Sequence, residues 1–164
     1  MEDWKGTVET VPFQSLPMKI EGTYKIPAPR EAVWQHLMSP ESLARALPGC
    51  EKLEPAPDGS FHAVLKIGIG AVKGTYEGHI ELADVVPPEQ YRMKVEGKGA
   101  GGFVKGEGTL SLSADSPAGT TIHYSGEAQV GGVIASAGQR LVQAAARQIV
   151  RQFFQALARQ VEPS

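Results

Sequence analysis

A glycine-rich stretch, GKGAGGFVKGEG at residues 97–108, contains a spacing that is typical of phosphate-binding loops. Gly97, Gly99 and Gly102 form the GxGxxG pattern that cradles a dinucleotide pyrophosphate. Such a loop needs a strand before it and a helix after it, because the amino end of the helix supplies amide donors to the phosphate. Here strand-like sequence stands on both sides, so we predict no dinucleotide site. Glu107 stands where a Walker loop requires lysine, which excludes that motif too.

Few ionisable groups are directed toward the inside of the predicted fold. When each predicted strand is divided into two faces by alternation, the charged residues and the strand histidines His62, His79 and His123 take the polar, outward face. We therefore predict no metal site and no inward acid–base pair. We interpret Cys50, the single cysteine, as a structural thiol, with a nucleophile as the alternative.

The inward face of the predicted strands carries glycines among bulky residues. Each glycine inside a strand costs about 0.5–1 kcal/mol relative to a residue with a side chain, so their presence needs a reason. Either they let the sheet bend and the helix approach closely, or they leave a chamber between the sheet and the helix. The five glycines are Gly22, Gly78, Gly106, Gly108 and Gly126.

A chamber of this kind would bind an apolar molecule. All four tyrosines lie on the inward face, where a hydroxyl can bind a carbonyl or quinone oxygen; the alternative is a ring with its hydroxyl in solvent. The residues predicted to bind the ligand from the strands and from the helix are Phe61, Leu65, Ile67, Tyr76, Ile80, Met93, Val95, Tyr124, Leu141, Ala145 and Ile149.

The bulk composition limits the classes of function. The 164-residue chain has 16 Lys and Arg against 18 Asp and Glu, a net charge of -2 and a pI near 6.1, so it lacks the basic excess of a nucleic-acid-binding protein. One cysteine cannot form an internal disulfide, and neither a signal peptide nor a membrane-spanning apolar run is recognisable. We expect a soluble, cytoplasmic protein.

Hydrophobic periodicity predicts the elements that position these residues. Residues 1–17 are predicted to be a poorly ordered extension and residues 18–161 a folded domain. A strand begins at Met18, and two short helices follow, the first with Val33, Trp34 and Leu37 on one face and the second capped by Ser39. From about residue 50 to 130 the pattern alternates over about six strands, and from Ile134 one long amphipathic helix closes the chain.

This order predicts an α+β fold in which a curved antiparallel sheet of about seven strands wraps around a long C-terminal helix. The chain also resembles the carbon monoxide dehydrogenase CoxG family, in the segments SPESLARALPGC, LPGCEKLE, GAVKGTYEGHIEL, GKGAGGFVKGEGTLSL and ASAGQRLVQAAARQIVRQFF. The resemblance covers nearly the whole domain, from about Met18 to Leu157. It implies the START and polyketide-cyclase-like (SRPBCC) superfamily, whose fold is called helix-grip.

The resemblance implies an accessory protein of molybdenum-containing CO dehydrogenases and related hydroxylases. Such proteins are linked to attaching the enzyme to the membrane and to carrying a quinone, menaquinone in some members, between enzyme and bilayer. The hairpin at 97–103 and the loop at 48–50 match family loops that would border the chamber mouth, with Phe103 as a lid. The long helix carries four arginines, Arg140, Arg147, Arg151 and Arg159. They would bind acidic lipid or an acidic partner; the alternative is that they only compensate the helix dipole.

We therefore expect a non-catalytic carrier of a hydrophobic ligand, such as an isoprenoid quinone, without a covalently bound cofactor or a nucleic-acid partner. It would serve a CO dehydrogenase-type molybdenum hydroxylase, with peripheral contact at the inner face of the cell membrane. Two alternatives stay open. One is a cyclase- or hydrolase-type enzyme of the same superfamily, with Cys50 and the tyrosines as its only candidates. The other is a docking module whose own side chains fill the chamber.

Overall fold

A seven-stranded antiparallel sheet forms one wall of the fold. The computed structural model describes residues 16–161, without the side chain of Ala71. The order in the sheet is β1-β7-β6-β5-β4-β3-β2, so consecutive strands pair from β2 to β7 and the first strand joins at the edge beside the last. The strands are β1 (Leu16–Ile26), β2 (Cys50–Pro55), β3 (Phe61–Ile67), β4 (Gly74–Val86), β5 (Gln90–Gly99), β6 (Gly102–Ser116) and β7 (Gly119–Gly131).

Three helices complete the fold: α1 (Arg30–Leu37), α2 (Pro40–Ala46) and the long α3 (Gln139–Val161). The predicted cap at the start of α2 is present, because the Ser39 hydroxyl accepts a hydrogen bond from the Ser42 amide at 3.3 Å. The predicted fold class is thereby confirmed, with a curved antiparallel sheet of seven strands, two short helices after the first strand and a long C-terminal helix. The predicted disorder of residues 1–17 falls mainly on residues 1–15, which lie outside the described residues, and stays a prediction.

The start of the long helix differs from the prediction. Residues Val133–Ala137 form a separate 3₁₀ turn, and α3 begins only at Gln139. Gly138 stands between them with φ of 96°, in the left-handed region that favours glycine, so the turn and the helix cannot be continuous. The turn is fixed to the sheet, because the Ile134 amide donates to the Gly101 carbonyl at 2.9 Å.

Buried apolar side chains form two clusters at opposite ends of the sheet. The larger cluster joins α1, α2 and the C-terminal half of α3 to the sheet, and it contains Val33, Trp34 and Leu37 as predicted. The smaller cluster, centred on Val130 and Val142, joins the first turns of α3 to the other end of the sheet. The middle of the inner face lies between these clusters.

The glycines of the inner face let neighbouring strands approach one another. A Cβ at Gly78 would overlap the carbonyl oxygen of Glu96, and a Cβ at Gly108 would lie 2.7 Å from the carbonyl oxygen of Ser125. None of the five inner-face glycines has an α3 atom among the three that its Cβ would meet first. Close strand approach therefore accounts for these two positions. At Gly97, the cross-strand partner of Gly78, a Cβ would meet only one atom, at 3.9 Å, and the space above the sheet is open.

Gly78→Ala and Gly97→Ala form a matched pair that tests this account. Gly78→Ala should lower the free energy of unfolding in urea by about 1–3 kcal/mol, because the strands must separate to admit the methyl group. Gly97→Ala should be neutral or stabilise by up to about 1 kcal/mol, because alanine reduces the conformational freedom of the unfolded chain. Equal losses in the two variants would contradict the account.

Candidate functional site

The middle of the inner face presents apolar side chains that neither core cluster includes. Phe61 pairs with Ile80 and Ile80 pairs with Val95, so these three form one row across β3, β4 and β5. The row continues through Gly106 of β6 to Ala128 of β7. Phe61, Ile80 and Val95 are each half-buried, although they face the side of the sheet that carries the helix. The row is an apolar floor that the protein's own side chains cover incompletely.

Helix α3 crosses above this floor and is held mainly at its two ends. Near its start the Gln139 side chain donates to the Pro17 carbonyl of β1 at 2.9 Å, and Val142 lies in the smaller cluster. Near its end, Phe154, Leu157 and Ala158 belong to the larger cluster. Ile149 lies between these ends and is half-buried. We call the space bounded by Phe61, Leu65, Ile80, Val95 and Ile149 the candidate chamber.

The other predicted binding residues lie at the ends of the candidate chamber or outside it. Ile67 and Ala145 are buried. Met93 and Tyr124 are half-buried against the larger cluster, and Tyr76 is half-buried against the smaller one. The structure thus brings the strand residues of the prediction onto one face. Ile20 of β1 is half-buried on that face and belongs to neither cluster; alternation places it there, but it was not among the predicted binding residues.

Two predicted positions are wrong. Leu141 is 57% exposed, because the first turn of α3 directs the adjacent Val142 inward. Phe103 lies on the outer face: it alternates with the inward Val104, and its ring covers Gly131, where a Cβ would overlap it. Phe103 therefore does not act as a lid.

The two loops predicted to border a yielding mouth are both fixed. In the β5–β6 hairpin, the Gly101 carbonyl accepts the Ile134 amide, and Gly102 packs directly against Gly132. In the loop before β2, the Gly49 carbonyl accepts the Lys66 amide at 2.8 Å. These hydrogen bonds join both loops to the body of the fold, which disfavours the predicted role of a yielding mouth.

The tyrosines differ in their surroundings. Tyr91 is buried against the edge of Trp34, with ring centroids 5.7 Å apart, and burial raises its pKa. The Tyr76 hydroxyl donates to the Val72 carbonyl at 2.6 Å, and burial raises the pKa of this tyrosine also. The Tyr124 hydroxyl lies over Gly22 on the inner face and makes no hydrogen bond with the described residues. Tyr124 thus differs from Tyr76, whose hydroxyl is bonded to a backbone carbonyl.

Charged side chains and strand histidines take the outer face of the sheet, as predicted. The His62 ring lies 3.0 Å from the Glu77 carboxylate on that face, and the His62 and His79 rings are 5.4 Å apart. Within residues 16–161, no three His, Cys, Asp or Glu side chains are grouped to hold a metal ion. Cys50 is half-buried, and burial raises the pKa of its thiol.

The exposed side of α3 is cationic. We call three of its arginines the cationic stripe: Arg140, Arg147 and Arg151. Arg147 and Arg151 follow Arg140 by seven and eleven residues, and positions with this spacing lie within about 40° of one another around a helix. All three are exposed, and no Asp or Glu occurs between residues 128 and 161. Val133 and Leu141, beside the start of the stripe, are 71% and 57% exposed. In the described part of the chain no helix is long and apolar enough to cross a bilayer.

The fold matches solved structures over most of its length. A conserved protein from Geobacillus kaustophilus is 35% identical, with a TM-score of 0.85, over 89% of this chain and 95% of that one. A START superfamily protein from Mycobacterium smegmatis is 14% identical (TM-score 0.70; 87% and 96% covered). A truncated norcoclaurine synthase from Thalictrum flavum is 17% identical (TM-score 0.65; 92% and 96% covered). At these lower identities the likeness shows the fold alone.

Sequence comparison gives the family. A search of curated proteins finds no match. The model of the carbon monoxide dehydrogenase CoxG family matches residues 22–162. This range includes every strand from β2 to β7, all three helices and each residue of the candidate chamber. The chain belongs to the carbon monoxide dehydrogenase CoxG family.

Proposed function

We propose that this protein binds an isoprenoid quinone in the candidate chamber and carries it between a membrane and a CO dehydrogenase-type molybdenum hydroxylase. The family and the START-like fold suggest an accessory protein that binds a hydrophobic ligand. The observation that carries the finer proposal is the row of Phe61, Ile80 and Val95, which is apolar, faces α3 and belongs to neither core cluster. An apolar guest would remove this surface from water.

A quinone matches the chemistry of the candidate chamber. Its isoprenoid tail would lie on Leu65, Ile80 and Val95, beneath Ile149. Burying about 300 Å² of such a tail contributes about 7 kcal/mol at about 25 cal/mol per Å², before the opposing loss of translational and rotational freedom. A carbonyl oxygen of the head group would accept a hydrogen bond from the hydroxyl of Tyr124.

Catalysis has less support than carriage. The inner-face groups that titrate are the tyrosines and Cys50, which is paired with Leu65 across β2 and β3. A raised pKa keeps the Cys50 thiol protonated at neutral pH, which disfavours a nucleophile. A norcoclaurine synthase structure in complex with dopamine and hydroxybenzaldehyde has the same fold at 17% identity, a level that carries no activity to this chain. We therefore propose that the ligand leaves this protein unchanged.

Quinone binding is tested by titration with a short-chain menaquinone, using isothermal calorimetry. Ile80→Trp fills the candidate chamber and should weaken binding at least about tenfold, because the indole displaces tail contacts worth more than about 1.4 kcal/mol. Glu81→Trp places the same side chain on the outer face of the same strand and should bind as the wild type does. Tyr124→Phe should weaken binding about two- to tenfold, the contribution of one hydrogen bond. A wild type that binds no quinone, or equal losses in both tryptophan variants, would contradict the proposal.

The thiol is tested by its rate of alkylation with iodoacetamide. Because burial raises the pKa of Cys50, less thiolate is present at pH 7–8, and alkylation should be slower than that of free glutathione. The rate should rise with pH through a midpoint above that of an ordinary thiol. Cys50→Ser should retain quinone binding. A Cys50 that reacts faster than glutathione would instead support the enzymatic alternative.

Contact with the inner face of the cell membrane is proposed through Val133 and Leu141, with the cationic stripe beside them. Exposed aliphatic side chains next to arginines and far from acidic groups fit the boundary of an anionic bilayer. Val85 and Val86, 42% and 43% exposed at the β4–β5 hairpin, offer a control at the opposite end of the sheet.

Co-sedimentation with phosphatidylglycerol vesicles tests this contact. The double variant Val133→Asp and Leu141→Asp should lose most of the bound fraction, because it places two carboxylates against anionic headgroups. Val85→Asp with Val86→Asp adds the same charge at the other end and should retain binding. Absence of wild-type binding at low ionic strength, or equal losses in the two pairs, would refute the membrane contact.

A further inference from the structure

Tyr124 of β7 extends over the edge strand β1, where its cross-strand partner is Gly22. A Cβ at Gly22 would lie 2.6 Å from the Tyr124 hydroxyl oxygen and 2.9 Å from the ring carbon that carries it, closer than atoms pack. Gly22 thus differs from the other four inner-face glycines, because the three atoms that its Cβ would meet first all belong to one side chain. The end of the Tyr124 ring occupies the place that a side chain at position 22 would take.

Phe154 of α3 holds the Tyr124 ring from the other side. The two ring centroids are 5.1 Å apart, and the Phe154 ring also stacks on Tyr24 of β1 at 5.5 Å. Phe154 is buried in the larger cluster, so the core fixes its ring. With the sheet at Gly22 on one side and Phe154 on the other, these two residues set the place of the Tyr124 hydroxyl.

The Tyr124 hydroxyl lies where the larger cluster meets the middle of the inner face. Its partners in the described chain are aromatic rings only, with no hydrogen bond. The next inner-face residue of β7 is Gly126, where the three atoms that a Cβ would meet first are backbone atoms of β6, the third at 3.9 Å. No α3 atom is therefore closer than that distance. On β1 the corresponding neighbour is Ile20, half-buried and in neither cluster.

The width of the sheet separates Tyr124 from the row of Phe61, Ile80 and Val95. Tyr124 is on β7 and Ile80 on β4, three strand spacings apart, or about 14 Å at about 4.8 Å each. A fused two-ring head group is shorter than this distance, whereas an isoprenoid tail can span the remainder. A ligand oxygen bound at Tyr124 therefore directs the tail toward β3.

We infer that Gly22 is a positioning residue that acts through Tyr124 and thereby fixes the orientation of the ligand, with its head group on the β1 side and its tail toward β3. The inference rests on the proposed function, since it needs a quinone to orient. A side chain at position 22 displaces the Tyr124 ring, and the hydroxyl then no longer reaches the carbonyl oxygen of the head group.

A double-mutant cycle tests the positioning role, with a short-chain menaquinone as the probe and isothermal calorimetry as the measurement. Gly22→Ala should weaken binding about two- to tenfold, the contribution of one hydrogen bond. In a Tyr124→Leu background, where the side chain ends short of Gly22, the same change should alter the affinity less than about twofold. Gly97→Ala adds the same methyl group to the inner face, where it meets one atom at 3.9 Å, and should bind as the wild type does.

The outcomes separate the positioning role from the carrier function. Equal losses from Gly22→Ala in both backgrounds show that the glycine acts through β1 itself and overturn the positioning role, as does wild-type affinity in Gly22→Ala. A wild type that binds no menaquinone overturns the carrier function, and the inference with it. The alanine methyl meets the free end of a side chain and not backbone, so Gly22→Ala should keep the fold, which urea unfolding checks.

Menadione, the head group without a tail, tests the orientation without any change at Gly22. A Cys50→Ser background prevents addition of the thiol to the free ring position of this quinone. Ile80→Trp should change menadione binding less than about twofold, because the indole lies at the tail end, whereas Tyr124→Phe should weaken it about two- to tenfold. A loss of menadione binding in Ile80→Trp as large as the loss of menaquinone binding overturns the orientation. A wild type that binds menaquinone but not menadione overturns it as well.

Discussion

An antiparallel sheet with one apolar face must remove that face from water, and here helix α3 does so fully only at its two ends. The larger cluster at Phe154 and Leu157 and the smaller one at Val142 fix the helix, while Phe61, Ile80 and Val95 between them stay half-buried. Because two separated clusters hold the helix in place, the middle of the face does not have to contribute its own packing to stability. The middle of the sheet is therefore the part of the inner face that the proposed ligand would cover.

Close contacts between strands account for two of the inner-face glycines. A Cβ at Gly78 or Gly108 would lie too close to backbone atoms of the neighbouring strand for any residue with a side chain. Gly97, paired with Gly78, has open space above it. The glycines had two possible explanations, close approach of neighbouring elements and open space above the sheet. Both apply: close strand approach explains Gly78 and Gly108, and at Gly97 the absence of a side chain leaves space above the sheet. The helix itself does not require them.

Alternation and local signals predicted much of the fold. The Ser39 cap, the stripe of Val33, Trp34 and Leu37 and the outward placement of the histidines depend on spacing within one element, which the sequence contains. Leu141 was misplaced because the rotation of α3 depends on tertiary contacts. Phe103 was assigned from the family resemblance, although alternation with the inward Val104 places it on the outer face.

An apolar guest between the sheet and α3 is the central claim, and mass spectrometry of organic extracts from the purified protein tests it most directly. Wild-type protein incubated with quinone-containing vesicles and then re-isolated should release an isoprenoid quinone in near-stoichiometric amount. The Ile80→Trp variant, treated identically and equally well folded, should release little. Quinone absent from both extracts, or present equally in both, would show that the inner face is not the binding site.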